Sequence, residues 1–508
     1  MKIAEAFPGS RERERVGGPR RPIVNSLTLA ATVWSAVVAG GLSAQEPAGR
    51  LSLDQAIRLA LASNRTVKVD AFLVPIARAN LLAERGRFDP SLNFRRSYSE
   101  DRRPFSSNPV VPQLTQTDDY SLTVDGLMPW GLSYSVGANA RNERGSFNGF
   151  TDSFRTFNGV TLTQPLLRGF GFGANLEGVR VAKADRAIAD WEFRQTLIDT
   201  VTQVEIAYSD AMYAKETLTI ARRARDLVAT LVHDNERRFN AGLMSESDVS
   251  QARAQAAQRE EQILFAERAV RDTDNALRRL LGESRFLLEG EMLLLDPPAI
   301  PNVAARLPED FRAALELRPD FQAARLGLAK GRASEIFARN QLLPRVDFVA
   351  TYGYDGLDRE FAASRRMVSD QDNRSYSAGV VVSVPLTFAE GRGRARAASL
   401  RLRQAEADLQ RVEQDIALNI AAAAGQIETT RQRVIATQRA YELANQALEG
   451  EQKKLQAGTT TTFVVLNLQT NLTAIESNLA RAMADQRRAA ANYEREIGVT
   501  LQRHRVEL

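Results

Sequence analysis

The amino-acid sequence predicts an α+β membrane protein in which one unit, a set of β-strands followed by a long α-helical hairpin, occurs twice. Three observations lead to this prediction: an N-terminal export signal, segments where apolar and polar residues alternate, and very long helical stretches. Length alone, at 508 residues, would allow about three ordinary domains. Internal repetition indicates instead that almost the whole mature chain consists of two copies of one unit.

Residues 1–44 have the pattern of a secretory signal peptide. Six basic and three acidic residues accompany an apolar stretch from Leu27 to Leu42, and small residues follow it. A permanent anchor helix is the alternative, but the small residues favour cleavage. Without this segment 61 basic and 59 acidic residues remain, so the formal net charge falls from +5 to +2. The mature chain is therefore predicted to be exported and not to bind nucleic acid.

The composition excludes several kinds of active site. The absence of cysteine excludes thiolate zinc sites, iron–sulfur clusters, disulfides, cysteine nucleophiles and a lipidated cysteine anchor. Neither His233 nor His504 has a metal-ligand partner at a suitable spacing. Gly169–Gly173 lacks the Lys-Ser or Lys-Thr of a phosphate loop. We interpret it as a passage from strand to helix, with Gly391–Arg394 in the corresponding place of the second copy. The sequence thus predicts no enzyme, no metal and no cofactor.

Spacings between matched landmarks define the two repeats. Pro90 and Pro344 are 254 residues apart, whereas Pro165 and Pro385 are only 220 apart. The difference means that the first copy carries an insert of 34 residues between its two prolines. We therefore predict a first repeat at 45–296, a proline-rich linker at 297–308 and a second repeat at 309–508.

Each repeat opens with a helical stretch, and the strands follow it, predicted at about 89–166 and about 344–387. Polar segments at Arg102–Asp119 and Gly356–Arg374 are interpreted as long loops, and Pro129–Gly131 as a short turn on the other side. Alternating strands with long loops on one side are typical of an outer-membrane barrel. The pattern fits a soluble β-sandwich about as well, because the signal of each strand is weak.

Long helices follow the strands, at about 174–283 and about 393–498. Ten positions in the second copy step by four and three residues: Ile416, Ile420, Ala423, Ile427, Thr430, Val434, Thr437, Tyr441, Ala444 and Leu448. This 3.5-residue period predicts a coiled-coil contact. A cytoskeletal or scaffolding coiled coil is the alternative, against which the signal peptide and the strands argue.

Several motifs in this order resemble the TolC family of outer-membrane efflux and secretion channels over nearly the whole mature length. The motifs are Leu51–Ala56 leading to Asn64, Gln164–Gly169, Gly242–Val249 and Ala252–Gln255. The resemblance implies a homotrimer in the outer membrane of a Gram-negative-type bacterium, with a shared β-barrel in outer-membrane lipid continued by a periplasmic helical tunnel. It also implies a periplasmic adaptor and an inner-membrane transporter, which would hand over substrates for passive efflux or type I secretion.

The main alternative function is a periplasmic coiled-coil scaffold or adaptor without a pore. Cargo is not encoded in any feature of the sequence, because drugs, metal ions and polypeptides leave through similar ducts.

The insert is a departure from the family pattern. Members commonly have two strands per repeat, which gives a twelve-stranded trimeric barrel. The inserted residues hold enough alternating sequence for one further hairpin. If it joins the sheet, six strands per protomer give eighteen and a wider barrel; otherwise the hairpin folds outside the wall.

The tunnel tip is a second departure. The resemblance places acidic residues six and nine positions after the second-repeat glycine, where this chain has Val464 and Asn467. Asp248 matches the family pattern, but the usual basic partner is replaced by Thr460. These four residues are the gate candidates, and they predict a neutral tip that binds cations less. A competing interpretation of Asp248 is that it only stabilises a helix N-terminus.

Two turns join the long helices of the two hairpins. The resemblance makes Gly242 and Leu243 in the first turn, and Gly458 and Thr459 in the second, the candidates for the hairpin tips and for adaptor docking.

Overall fold

The computed structural model describes residues 50–105, 108–282, 293–295 and 305–506. The predicted signal peptide lies outside the described residues, and so do residues 297–304 of the predicted linker. From Leu51 onward the chain forms one compact unit. In the part of the chain that is described, no helix has both the length and the apolar character needed to cross a membrane.

Helices make up most of the described chain. They are α1 (Leu53–Ser63), α2 (Arg65–Asp70), α3 (Leu73–Gly86), α4 (Phe172–Asn175), α5 (Glu177–Asn240), α6 (Glu246–Leu281), α7 (Leu307–Leu317), α8 (Pro319–Asn340), α9 (Phe361–Ser369), α10 (Ala389–Gln456), α11 (Thr462–Ile497) and α12 (Thr500–Arg503). The strands are β1 (Arg50–Leu51), β2 (Ser91–Phe105), β3 (Asn108–Leu127), β4 (Ser133–Gly145), β5 (Phe154–Pro165), β6 (Leu293–Leu294), β7 (Arg345–Asp358) and β8 (Arg374–Ser383).

Two helical hairpins, α5–α6 and α10–α11, dominate the shape of this unit. The first helix of each hairpin has 64 and 68 residues respectively, which at the standard rise corresponds to about 96 and 102 Å. The predicted coiled-coil seam of α10 is confirmed, because Ile416 and Ile420 are fully buried and all ten seam positions are buried or half-buried. The seam packs against α7 and α11.

The middle of α5 is held by α1, the first of the short helices that precede the strands. Ser52 and Gln55 form a capping box at the start of α1, which satisfies two otherwise unpaired N–H groups. Ile57 in α1 packs on Val201 in α5 within the same core cluster. The buried Tyr208 hydroxyl donates to the Leu51 carbonyl at 2.9 Å. These contacts hold α1 against the middle of α5.

The long strands of the described chain form a single antiparallel sheet in the order β2-β3-β4-β5-β7-β8. Strand β7 begins 254 residues after β2, and β8 begins 220 residues after β5. The inserted strands are therefore β3 and β4, and both lie inside the sheet. Of the two placements left open by the sequence, joining the sheet is the observed one.

Three local predictions were wrong. The segment Arg102–Asp119 is not a long loop, since β2 continues to Phe105 and β3 starts at Asn108. Gly356–Arg374 contains α9, which packs on β5 through Phe154–Phe361 ring contact and a Thr156–Ser364 hydroxyl bond of 2.8 Å. Gly391–Arg394 is helical, because α10 already begins at Ala389.

Candidate functional site

The large sheet has two chemically different faces. Except for Phe105↔Asn108, which follows an irregularity at the end of β2, the partner residues in every strand pairing have numbers of the same parity, for example Phe94↔Leu122 and Val160↔Tyr352. Because side chains alternate along a strand, the even-numbered residues of the regularly paired segments share one face from β2 to β8. The odd-numbered residues share the other face.

The even-numbered face is predominantly apolar and exposed. Its members include Leu92, Phe94, Leu122, Val124, Tyr134, Val136, Val160, Leu162, Phe348, Tyr352, Tyr376, Val380 and Val382. Leu92 is 71% exposed and Val380 is 59% exposed. A continuous exposed apolar surface of this kind marks contact with another apolar phase or partner.

The odd-numbered face is predominantly polar. Its members include Ser91, Asn93, Arg95, Ser121, Thr123, Asp125, Ser133, Ser135, Asn139, Arg141, Thr161, Thr351, Asp355, Ser375 and Ser377. Ion pairs cross between neighbouring strands on this face, with Arg141 Nε 2.6 Å from Asp119 Oδ1 and Arg155 Nε 3.6 Å from Asp355 Oδ1. The polar face is therefore suited to water, and its charges are locally balanced.

The two hairpin turns have the same backbone conformation. Gly242 and Gly458 both adopt φ +72°, a left-handed conformation that glycine takes without strain. Leu243 follows the first glycine and is 78% exposed. Thr459 follows the second, and its hydroxyl donates to the Lys454 carbonyl at 3.1 Å. The predicted docking candidates thus lie at the ends of both hairpins.

Asp248 lies in the first turn of α6. The Ser245 hydroxyl donates to its carboxylate at 2.6 Å, and the Asp248 backbone N–H donates to the Ser245 hydroxyl oxygen at 3.2 Å. A carboxylate in this position also interacts favourably with the helix dipole. The local geometry matches the interpretation of Asp248 as a helix-stabilising residue, and a role in the gate stays a prediction.

The other gate candidates lie around the α10–α11 turn. Val464 and Asn467 are exposed on α11, on the side opposite the buried Val465. Thr460 hydrogen-bonds to the Glu451 carboxylate and so holds the pKa of that carboxyl below its usual value. The tip of the second hairpin therefore exposes one apolar side chain, Val464, and one neutral polar side chain, Asn467, at the two positions that were predicted to lack charge.

Buried polar groups near the tips escaped the sequence prediction. Arg259 of α6 is only 4% exposed, and its guanidinium donates to the Thr470 hydroxyl of α11 at 2.9 Å. Burial lowers the pKa of this guanidinium. Nearby, the Thr462 hydroxyl of α11 lies 3.5 Å from the side-chain oxygen of the buried Asn235 of α5. These bonds join the first hairpin to the second.

The spacing of the buried residues along α6 could have indicated Arg259. Val249, Ala252, Ala266 and Val270 are buried on α6, and Arg259 continues the same step of three and four residues. A charged residue at a seam position is unusual, since buried charge is costly unless it is paired. Within the described ranges, no group of three or more histidine, aspartate or glutamate side chains is arranged to hold a metal ion.

An amphipathic antiparallel sheet joined to helical hairpins whose first helices are about 100 Å long is the architecture of outer-membrane channel proteins. Two solved structures share it: the outer-membrane channel OprN, with a TM-score of 0.67 and 19% identity over 88% of this chain and 89% of that chain, and VceC of Vibrio cholerae, with a TM-score of 0.65 and 20% identity over 88% and 96%.

Sequence comparison identifies the family. The model of the outer membrane efflux protein family matches residues 56–283 and 311–499, and the chain belongs to that family. It is similar to the outer membrane protein TolC of Vibrio cholerae, at 24% identity over 58% of this chain and 67% of that protein. It is also similar to the pyoverdine export outer membrane protein OpmQ of Pseudomonas putida, at 26% identity over 60% of this chain and 63% of that protein.

The predicted resemblance to TolC-like outer-membrane proteins is thereby confirmed, and with it the outer membrane of a Gram-negative bacterium as the location. The family consists of channel proteins rather than enzymes.

Proposed function

We propose that three copies of this chain form a passive exit channel through the outer membrane. The observation that carries the proposal is the division of the sheet into a predominantly apolar even-numbered face and a predominantly polar odd-numbered face. In a closed barrel the apolar face contacts outer-membrane lipid and the polar face lines a water-filled lumen. The long helices extend this lumen into the periplasm.

Closure by further copies follows from the edges of the sheet. Among the described strands, β2 and β8 are each hydrogen-bonded on one side only. Their other sides present rows of backbone donors and acceptors, which lipid leaves unsatisfied at a cost of several kcal/mol per group. Pairing of β8 with β2 of the next copy satisfies these groups, and three copies form the homotrimer that the family resemblance implies.

Substrates reach the channel from partners in the periplasm and the inner membrane. The exposed turns at Gly242–Leu243 and Gly458–Thr459 lie at the far ends of the hairpins, where a periplasmic adaptor and an inner-membrane transporter would dock. The relative OpmQ is named for pyoverdine export, so an exported small molecule is the cargo class with direct support among relatives. No bond is made or broken during conduction.

The tips of the hairpins are proposed to separate while the hairpins stay joined further up. Near the tip the two hairpins are joined by hydrogen bonds that each have at least one neutral partner, at Arg259–Thr470 and Thr462–Asn235. Further up, Arg488 Nε donates to Asp210 at 2.6 Å. A hydrogen bond whose donor and acceptor are both charged is stronger than one in which either group is neutral. Docking of an adaptor shifts the population from closed to dilated tips by binding the dilated state better.

Reconstitution of the purified protein tests this function. We expect the protein in the outer-membrane fraction, as a trimer, with single-channel conductance in planar bilayers. A soluble protein without conductance would support the scaffold or adaptor alternative instead. Affinity purification from membranes then identifies the adaptor and transporter, because their co-purification is expected only for a channel of a tripartite system.

A further inference from the structure

We propose that the β3–β4 hairpin is a permanent third of the channel wall, so that three copies close an eighteen-stranded barrel with a wide exit for bulky hydrophilic cargo. The inference rests on the proposed function for the number of copies and for the presence of a pore. The position of the hairpin between β2 and β5 is a property of the single chain.

The position of the hairpin follows from the two copies. In the second copy β7 pairs directly with β8, and their counterparts by residue spacing are β2 and β5. In the first copy β2 pairs with β3, and β5 pairs with β4. The hairpin therefore separates two strands that are neighbours in the other copy. Both inserted strands are hydrogen-bonded on both sides, as wall strands require.

Packing within the hairpin supports a permanent place in the sheet. The Tyr134 ring of β4 lies where a Cβ on Gly126 of β3 would be, and these two residues are register partners. A Cβ on Gly137 would meet the backbone of Leu122 and Thr123. Aromatic cover of a strand glycine and close backbone approach are devices that fix register in curved sheets.

The hairpin turn is also fixed to the junction between sheet and tunnel. The Gly171 N–H donates to the Trp130 carbonyl at 2.9 Å, and the Trp130 and Phe172 rings meet edge to face with centroids 6.4 Å apart. Gly131 adopts φ +101°, and a Cβ there would clash with the Gly169 carbonyl. The turn is thus built into the passage that leads from β5 to α5.

The width of the exit follows from the number of strands. The diameter of a barrel grows roughly in proportion to its strand number, and barrels of about 16–18 strands leave an aqueous channel. The odd-numbered face contributed by β3 and β4 includes Ser121, Thr123, Ser135 and Asn139, so the added lumen surface is hydrophilic. Bulky hydrated solutes are therefore the cargo that the added width serves.

Cysteine cross-linking separates the two placements of the hairpin. The proposed wall places Asn93 opposite Thr123, whereas direct β2–β5 pairing, by analogy with Asp347↔Val381, would place Asn93 opposite Thr161. The chain has no cysteine of its own, and register partners are close enough for a disulfide.

Three double-cysteine variants of the full chain are oxidised in membranes and analysed by mass spectrometry of linked peptides. Asn93→Cys with Thr123→Cys is expected to cross-link, and Asn93→Cys with Thr161→Cys is not. Thr161→Cys with Thr351→Cys, on the paired strands β5 and β7, reports that oxidation works. Cross-linking of the second pair, or failure of the first while the third forms, overturns the inference without affecting the proposed pore.

Polymer exclusion measures the width. Polyethylene glycols of increasing size are added on the outer side of a bilayer that holds the intact channel, or a variant lacking Asn108–Gly145. The cut-off radius is expected to be about 1.5-fold larger for the intact channel, the ratio of eighteen to twelve strands. Equal cut-offs overturn the inference. Should the deletion variant not assemble, an intact-channel cut-off no larger than a twelve-stranded lumen admits overturns it equally, whereas absence of conductance would instead refute the proposed function.

Discussion

Replacement of Thr470 by valine tests the proposed separation of the hairpin tips. The Thr470 hydroxyl oxygen accepts from Arg259 at 2.9 Å and from Gln255 Nε2 at 3.3 Å, both on α6. Valine has nearly the same shape and cannot accept either bond. Because Thr470 is exposed, the new methyl group gains little burial. The substitution therefore removes bonds between the hairpins while leaving their packing unchanged.

The size of the effect follows from the charged donor. A hydrogen bond to a charged group contributes about 1.5–3 kcal/mol. If the bond is made in the closed state and broken in the dilated one, its loss shifts the equilibrium toward dilated tips by roughly 10- to 150-fold per chain. In planar bilayers we therefore expect the ratio of time spent at high conductance to time spent at low conductance to rise by the same factor.

Thr473→Val is the matched control. The Thr473 hydroxyl donates to the Gln469 carbonyl of its own helix at 2.8 Å, as Thr470 does to Leu466, so both variants lose an equivalent intrahelical bond. Only Thr470 accepts from Arg259. Equal open fractions in the two variants would refute the assignment of this contact to the closed tip.

Three further outcomes are expected. Val464→Asp or Asn467→Asp should raise cation selectivity, or block by divalent cations, at the periplasmic mouth of the channel. If neither the reversal potential nor the divalent block changes, these two residues do not line the tip. Ile420→Ala should lower the free energy of unfolding by about 2–5 kcal/mol, whereas the exposed Leu418→Ala on the same helix should change it by less than about 0.5 kcal/mol; equal losses in chemical denaturation would contradict the seam. Burial raises the pKa of Glu476, so its stabilising contribution is present at acid pH and is lost as pH rises through that raised pKa. Glu476→Gln should abolish this decrease in stability with rising pH. Melting temperatures of the variant and the parent chain with the same pH dependence would contradict the role of Glu476.

The helical part of the fold was predictable because its signal is long. Ten consecutive seam positions in α10 specify one buried face, and each of them is buried or half-buried. The glycines of Gly391–Arg394 misled the prediction of where α10 begins. A glycine in a helix costs only about 1 kcal/mol relative to alanine, and the surrounding arginine and alanine residues favour helix strongly enough to offset that.

The tip was predictable only in outline. Sequence spacing located Gly242 and Gly458 at the turns, but it did not show that Arg259 reaches across to α11. That bond depends on how two hairpins lie side by side, and the residues it joins are 211 positions apart. A charge at a seam position was the available sign, since a buried guanidinium needs a partner.

The placement of the inserted hairpin could not be predicted from the alternation of apolar and polar residues. Alternation states which face a side chain takes, and β3 and β4 alternate equally well inside the sheet or outside it. The choice between these placements depends on backbone groups, which carry no sequence signal of their own. Inside the sheet both strands have a hydrogen-bonded neighbour on each side, whereas an external hairpin leaves two edges open and also leaves β2 and β5 to meet each other. In contact with lipid, where open edges cost most, the intercalated order is therefore the one that this pair of strands favours.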